Sequence, residues 1–157
     1  MATQAIDLKG KIFADLSANS AILALLGSVT ATNLRIYAGW PQQQPELSNV
    51  EPSEGWLTFH EVTAYKPFQL SLWKDHVIQF DIWSKLQTIN DRVVDLLDAM
   101  YDRAPVDQDG LVITDDWFIL SSHWISGQEI YEQEIKLYHK IATYQFRTLK
   151  RPYRLGA

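Results

Sequence analysis

The chain contains no cysteine. That absence excludes disulfides, thiol nucleophiles and cysteine-ligated zinc, and it fits a reducing compartment. Positive charge is also scarce: Lys and Arg number 14 against 19 Asp and Glu, a formal net charge of −5. A duplex-binding domain usually shows a basic footprint, so that role is disfavoured, whereas an acidic balance suits solubility. Long apolar runs are missing. No stretch approaches the roughly 20 residues that span a bilayer. The opening MATQAIDLKGK lacks the basic start and apolar run of a secretory signal. The sequence has no HExxH pair, no GxSxG elbow, no Walker-type glycine loop and no dinucleotide fingerprint, which removes the common routes to metal, acyl-transfer and nucleotide chemistry. Internal repeats and low-complexity tracts are absent as well.

What remains is an ordinary globular composition with a rich aromatic set. The 157 residues suggest one domain, large enough to bury roughly two thirds of its unfolded surface without staples. Six Trp, seven Tyr and six Phe can fill a large core or an oligomer interface, since aromatics dominate both.

Periodicity orders the chain. Residues 4–17 predict a helix with Ala5, Leu8, Ile12 and Leu16 on one face, and with Asp7, Lys11 and Asp15 opposite; Asp7 before Lys11 is the favourable order for an ion pair. A short second helix follows, capped by Asn19 or Ser20 and ended by Gly27. Leu34–Tyr37 reads as a short strand. The Pro-rich segment 39–55 reads as a long loop, functional or mobile. Residues 56–64 alternate as a strand, with Trp56, Thr58, His60 and Val62 on one side. The segment 65–75, with apolar Tyr65, Phe68, Leu72 and Trp73, reads as a wide hairpin tip. Apolar surface on a tip points either to folding back on the body or to docking on a neighbour.

The most strongly specified unit is 76–103. Ile78, Phe80 and Ile82 alternate with polar residues, and Ile89, Val93, Leu96, Leu97 and Met100 then recur at helical spacing. Thr88 or Asn90 is the expected cap of this helix, and Pro105 follows its end. VDQDG at 106–110 is a turn cluster. Residues 111–126 contain strand material, with Trp117, Ile119 and Ser121 facing one way and Phe118, Leu120 and Ser122 the other. Gly127 marks a turn, YEQEIK is a candidate strand tip, and 137–149 form a last strand with Ala142, Tyr144 and Phe146 on one face. Residues 149–157 make a loose basic tail. Consecutive strands with short turns favour antiparallel pairing. The fold class is therefore α+β: a single domain with a mainly antiparallel or mixed sheet and helices packed on one face.

Chemistry-bearing residues are present without the spacing that chemistry needs. His60, His76, His123 and His139 are far apart in sequence, each in or beside a strand. Ser121 and His123 share a strand face but lack an elbow. The carboxylate pairs Asp115–Asp116 and Glu132/Glu134 lie in polar, turn-like sequence. The expectation is no catalytic, metal-binding or cofactor-binding residue. Asp91, Asp95, Asp98 and Asp102 form a like-charged stripe on one face of the 88–103 helix, placed opposite Val93, Leu97 and Met100. Its readings are a solvated face, or an acidic surface toward a basic partner or passing DNA. Arg147, Lys150, Arg151 and Arg154 form the only basic run, too short for a nucleic-acid footprint.

The order of elements resembles a known family. A helical pair ends in LLG, followed by RIY (Arg35–Tyr37), a Pro-rich loop and a strand; then come VIQFDIWSK, a helix of the NDRVVDLLDAMYD type, and closing strands ending YHKIATYQFR. Over residues 4–149 this resembles the tail terminator, or tail completion, proteins of long-tailed bacteriophages, the lambda-like group. The resemblance implies a non-enzymatic subunit of a homohexameric ring at the head–tail interface of a virion, assembled in the host cytoplasm. Such a ring sits on the last ring of tail-tube protein, stops its growth and presents a surface to the head-completion or connector protein. DNA passes through without sequence-specific binding, and no membrane is involved. On this reading Tyr65, Phe68, Leu72, Trp73, Arg147 and Arg151 are candidate subunit or partner contacts. Asp91, Asp95, Asp98 and Asp102 are a candidate channel or partner face. Another neck or connector role, and a small ligand-binding or enzymatic domain, remain the alternatives.

Overall fold

The computed structural model describes residues 8–27, 35–39, 55–65, 73–102 and 117–150. Within them, apolar spacing sets the helices. In α1 (Leu8–Ser17) the buried residues are Leu8, Ile12 and Leu16, one per turn. Lys11 bonds Asp15 at 2.7 Å; the expected partner Asp7 lies outside the described residues. In α2 (Ser20–Leu26), the Asn19 side chain accepts the Ile22 N–H at 3.1 Å, and Gly27 closes the helix at φ 77°. Both ends match the sequence expectation, because an Asx oxygen satisfies an orphan donor and glycine enters the left-handed region without strain.

One five-stranded sheet carries the helices, in the order β1-β2-β3-β5-β4. The strands are β1 (Ile36–Ala38), β2 (Gly55–Tyr65), β3 (Trp73–Ser84), β4 (Trp117–Glu132) and β5 (Leu137–Lys150), with α3 (Gln87–Tyr101) between β3 and β4. Among the described residues only the short β1 pairs in parallel, with β2, and the other three ladders are antiparallel. The α+β class with a mixed sheet is thus observed.

All three helices bury their apolar stripes on one sheet face, against Leu57, Phe59, Ile78, Phe80, Ile82, Ala142, Tyr144 and Phe146. Phe80 sits at the centre. Its ring lies 5.8 Å from Phe59, 5.8 Å from Tyr101 and 5.6 Å edge-on from Tyr144. Each fully buried side chain of this size contributes about 1.5–3 kcal/mol of burial free energy. On the opposite face a smaller apolar cluster gathers Trp56 and Leu137 with Tyr37, Trp83 and Ile135.

Several sequence expectations need correction. The hairpin tip is shorter than 65–75, because Tyr65 ends β2 and β3 begins at Trp73. Lys74 and Asp75 read as turn residues, yet Asp75 is registered directly across from Arg147, whose charge lets a carboxylate lie within the sheet. The cap of α3 is Leu86, without a side-chain cap bond. Thr88 and Asn90 fall inside the first turn; Asn90 is buried and bonds the Ser84 hydroxyl at 2.7 Å and the Tyr138 carbonyl at 3.1 Å. Gly127 is no turn but lies within β4. The Trp124 ring lies over it, 3.4 Å from where a Cβ would stand, so a neighbouring aromatic covers the gap a glycine leaves in a strand. The turn comes later, at Gln133–Lys136, where Lys136 takes φ 55°, as the reading of YEQEIK anticipates. Register shifts at Ile119/Ser121 and Trp124/Ser126 mark β-bulges. The first puts Ile119 and Ser122 on the helix side together, where strict alternation separates them.

Candidate assembly surfaces

At 100° per residue the acidic stripe of α3 lies opposite Val93, Leu97 and Met100, and its nearest buried neighbours on the helix are Val94 and Tyr101. It is nevertheless not simply a solvated face. Three of its members reach the adjoining hairpin. Asp91 accepts from the Lys140 ammonium, Asp98 from the Tyr144 hydroxyl, and Asp102 from the Trp124 backbone N–H at 3.2 Å. The Tyr144 hydroxyl is pushed above its ordinary pKa, first by burial and then by its bond to Asp98, so it stays a donor. Only Asp95 of the four has no such tie to the sheet and stands exposed among the described residues.

The expected partner contacts divide similarly. Arg147 is engaged inside the chain: its Nε and a terminal nitrogen donate to the Asp75 carboxylate at 2.8 and 3.0 Å, and its guanidinium lies 5.5 Å from the centre of the Trp73 ring. Phe68, Leu72 and Arg151 lie outside the described residues, as do Asp115–Asp116 and the loop at 40–54.

All four histidines lie in strands, one each in β2, β3, β4 and β5. Two meet across the face opposite the helices. The buried Asp81 carboxylate is 2.7 Å from His139 Nε2 and 3.8 Å from His60 Nδ1. Gln79 donates to it, Glu132 lies 3.4 Å from His139 Nδ1, and Trp83 stacks on the His139 ring at 3.6 Å. This network was not legible in the sequence, which separates Asp81 from His139 by 58 residues; the β3–β5 register alone joins them. His76 is buried on the helix side between Glu61 at 3.0 Å and the Thr148 hydroxyl at 3.3 Å. Burial holds it below the ordinary imidazole pKa, although Glu61 pulls the other way. Ser121 and His123 share a face, as expected, and His123 is exposed. Among the described residues no group of three metal-ligating side chains converges, and no helix is long and apolar enough to cross a membrane.

Among the described residues, two apolar surfaces face outward. The first is a shelf on β4, the outer strand of the sheet. Trp124 and Tyr131 point to the helix side, each 47% exposed, with Gly127 and exposed Glu129 between them and exposed Ile125 at the bulge. Beside Tyr131, the Tyr138 ring packs at 4.9 Å. The second is an open groove of about 490 Å³ between α2 and α3, lined by Ala21, Ala24, Leu25 and Leu96, with Arg92 and Asp95 at its rim. Small residues on α2 leave the depression, since two alanines cannot fill the space beside Leu96. Neither surface was marked by the sequence: Trp124 fell within strand material at 111–126 with no face assigned to it, and Tyr131 within the candidate strand tip after Gly127.

No protein-family model matches the sequence, and no curated protein sequence matches it. The solved structures do include a likeness. A chain from the virion of the native gene transfer agent particle superposes with a TM-score of 0.65 at 10% sequence identity, covering 95% of this chain and 100% of that one. At that identity the likeness is one of fold alone.

Proposed function

We propose that the protein is a structural subunit of a phage-like virion, and that within the particle it is the ring-forming tail terminator. The observation that carries the reading is the end-to-end fold match to a chain of a gene transfer agent virion. The order of elements and the outward apolar shelf of β4 support it, because a part that works by contact needs uncovered surface and no reaction centre. On this reading copies of the chain form a hexameric ring on the last ring of tail-tube protein, stop its polymerisation and offer the opposite surface to the head connector, with DNA passing through the channel. It is not an enzyme, and it takes no cofactor. Electron microscopy of particles assembled without the protein tests the role. Overlong tail tubes are the expected result. Tubes of normal length that fail to join heads identify a connector instead, and normal, joined particles overturn both.

A further inference from the structure

The two outward apolar surfaces complement each other in shape and charge. The β4 shelf exposes the Trp124 and Tyr131 rings with Ile125, whereas the α2–α3 groove is an open recess lined by alanine and leucine side chains. The groove rim offers a cation, Arg92, and one helical turn on an acceptor, Asp95. The shelf offers the reverse pair on one strand face, the Glu129 carboxylate and the Tyr131 hydroxyl, two residues apart. The two pairs are spaced about 4.5 Å apart along the helix and about 6.6 Å apart along the strand, a difference that the long, flexible Arg92 side chain spans.

The geometry points to a head-to-tail contact in which the β4 shelf of one copy seats in the α2–α3 groove of the next. The inference rests on the ring reading above and names the surfaces that build the ring. Shelf and groove are different patches of one chain, so the contact is heterologous and repeats from copy to copy until rotation closes it. Edge-to-edge pairing of β4 with a second β4 is disfavoured by the like charges of Glu129 and Glu132 along the strand and by its two bulges. Trp124 and Tyr131 are the residue types that anchor interfaces, and Arg92 is a suitable rim partner.

The cysteine-free sequence makes a clean test. Full-length Arg92→Cys and Glu129→Cys variants, one carrying a mass tag, are mixed and treated with a short bismaleimide. The expected product is the mixed dimer, at least about tenfold over either like-with-like dimer; the double variant gives a ladder. Trp124→Ser in the double variant weakens the ladder about tenfold or more, with its unfolding midpoint measured alongside to establish that it folds. Cross-links only between like positions, or a mixed product no stronger than with Lys9→Cys as a control on α1, overturn the docking pair. Rings seen in negative stain together with absent cross-links overturn the pair and leave the ring reading standing. A chain that neither cross-links nor self-associates at any concentration removes both.

Discussion

Replacing Arg147 with alanine tests whether this arginine is committed to its own fold or available to a partner. The Asp75 carboxylate is 1% exposed and receives two charge-assisted hydrogen bonds from Arg147, at 2.8 and 3.0 Å. Removing one partner of a fully buried ion pair typically costs about 3–5 kcal/mol, because the remaining charge is stranded. Here the Arg147 side chain is 41% exposed, so water already screens part of the pair and can reach the vacated space. The expectation falls to about 2–3 kcal/mol, of which the Trp73 stack supplies about 0.5–1 kcal/mol. With a urea dependence of about 2 kcal/mol per molar for a domain of this size, the unfolding midpoint drops by about 1–1.5 M. The assay is equilibrium urea unfolding of the wild type, Arg147→Ala, Asp75→Asn and the double variant. Asp75→Asn removes the stranded charge, so the double variant loses less than the sum of the singles, by about 1–2 kcal/mol. An Arg147→Ala loss below about 0.5 kcal/mol, the range of ordinary surface substitutions, together with no coupling to Asp75, refutes the reasoning and returns Arg147 to the surface as a contact residue.

Two further perturbations follow from particular geometries. Burial lowers the His76 pKa below its ordinary value of 6.5, so the unfolded chain binds this proton more readily than the folded one. Its contribution to stability is full above pH 6.5 and is lost as pH falls below that value toward the lower folded one. Thermal midpoints measured from pH 8 to pH 5 decline more steeply for the wild type than for His76→Gln; parallel curves defeat the assignment. At Gly55 an added Cβ would stand 2.7 Å from the Trp83 carbonyl oxygen, a backbone atom that cannot rotate away. Gly55→Ala therefore destabilises by about 1–3 kcal/mol, a fall of about 3–9 °C in the thermal midpoint, and an unchanged midpoint shows that the strand end has room.

Local pattern carried most of the fold. Leu8, Ile12 and Leu16, the Asn19 and Gly27 caps, the alternation of Ile78, Phe80 and Ile82, and the stripe of α3 depend on neighbours within a few residues, and each was legible. So was the burial of Ala142, Tyr144 and Phe146 on one face. What escaped depends on partners far along the chain. Asp75 and Arg147 are 72 residues apart, Asp98 and Tyr144 46, and Asp91 and Lys140 49. A polar residue beside a turn signal looks like turn until its cross-strand partner is known. The β4 shelf escaped for a related reason. Bulges at Ile119/Ser121 and Trp124/Ser126 break the period of two, and Gly127 weakens the local strand signal while Trp124 restores it from three residues away. The candidate surfaces were thus the least legible part, because exposure depends on which elements fail to cover a strand.

The ties between α3 and the β4–β5 hairpin also have a mechanical meaning. Asp91 meets Lys140 and Asp98 meets Tyr144, while Asp102 meets the Trp124 backbone, beside Tyr144 in register. The attachments are spread along both elements, because α3 and β5 advance in the same direction. A pull along the hairpin axis loads them together, as rivets in shear share a load, and passes it through α3 into the aromatic centre around Phe80. A pull lifting the hairpin off the helix loads them one after another, and each gives way in turn. The attachment of α3 to the hairpin therefore resists sliding along the strands better than peeling across them.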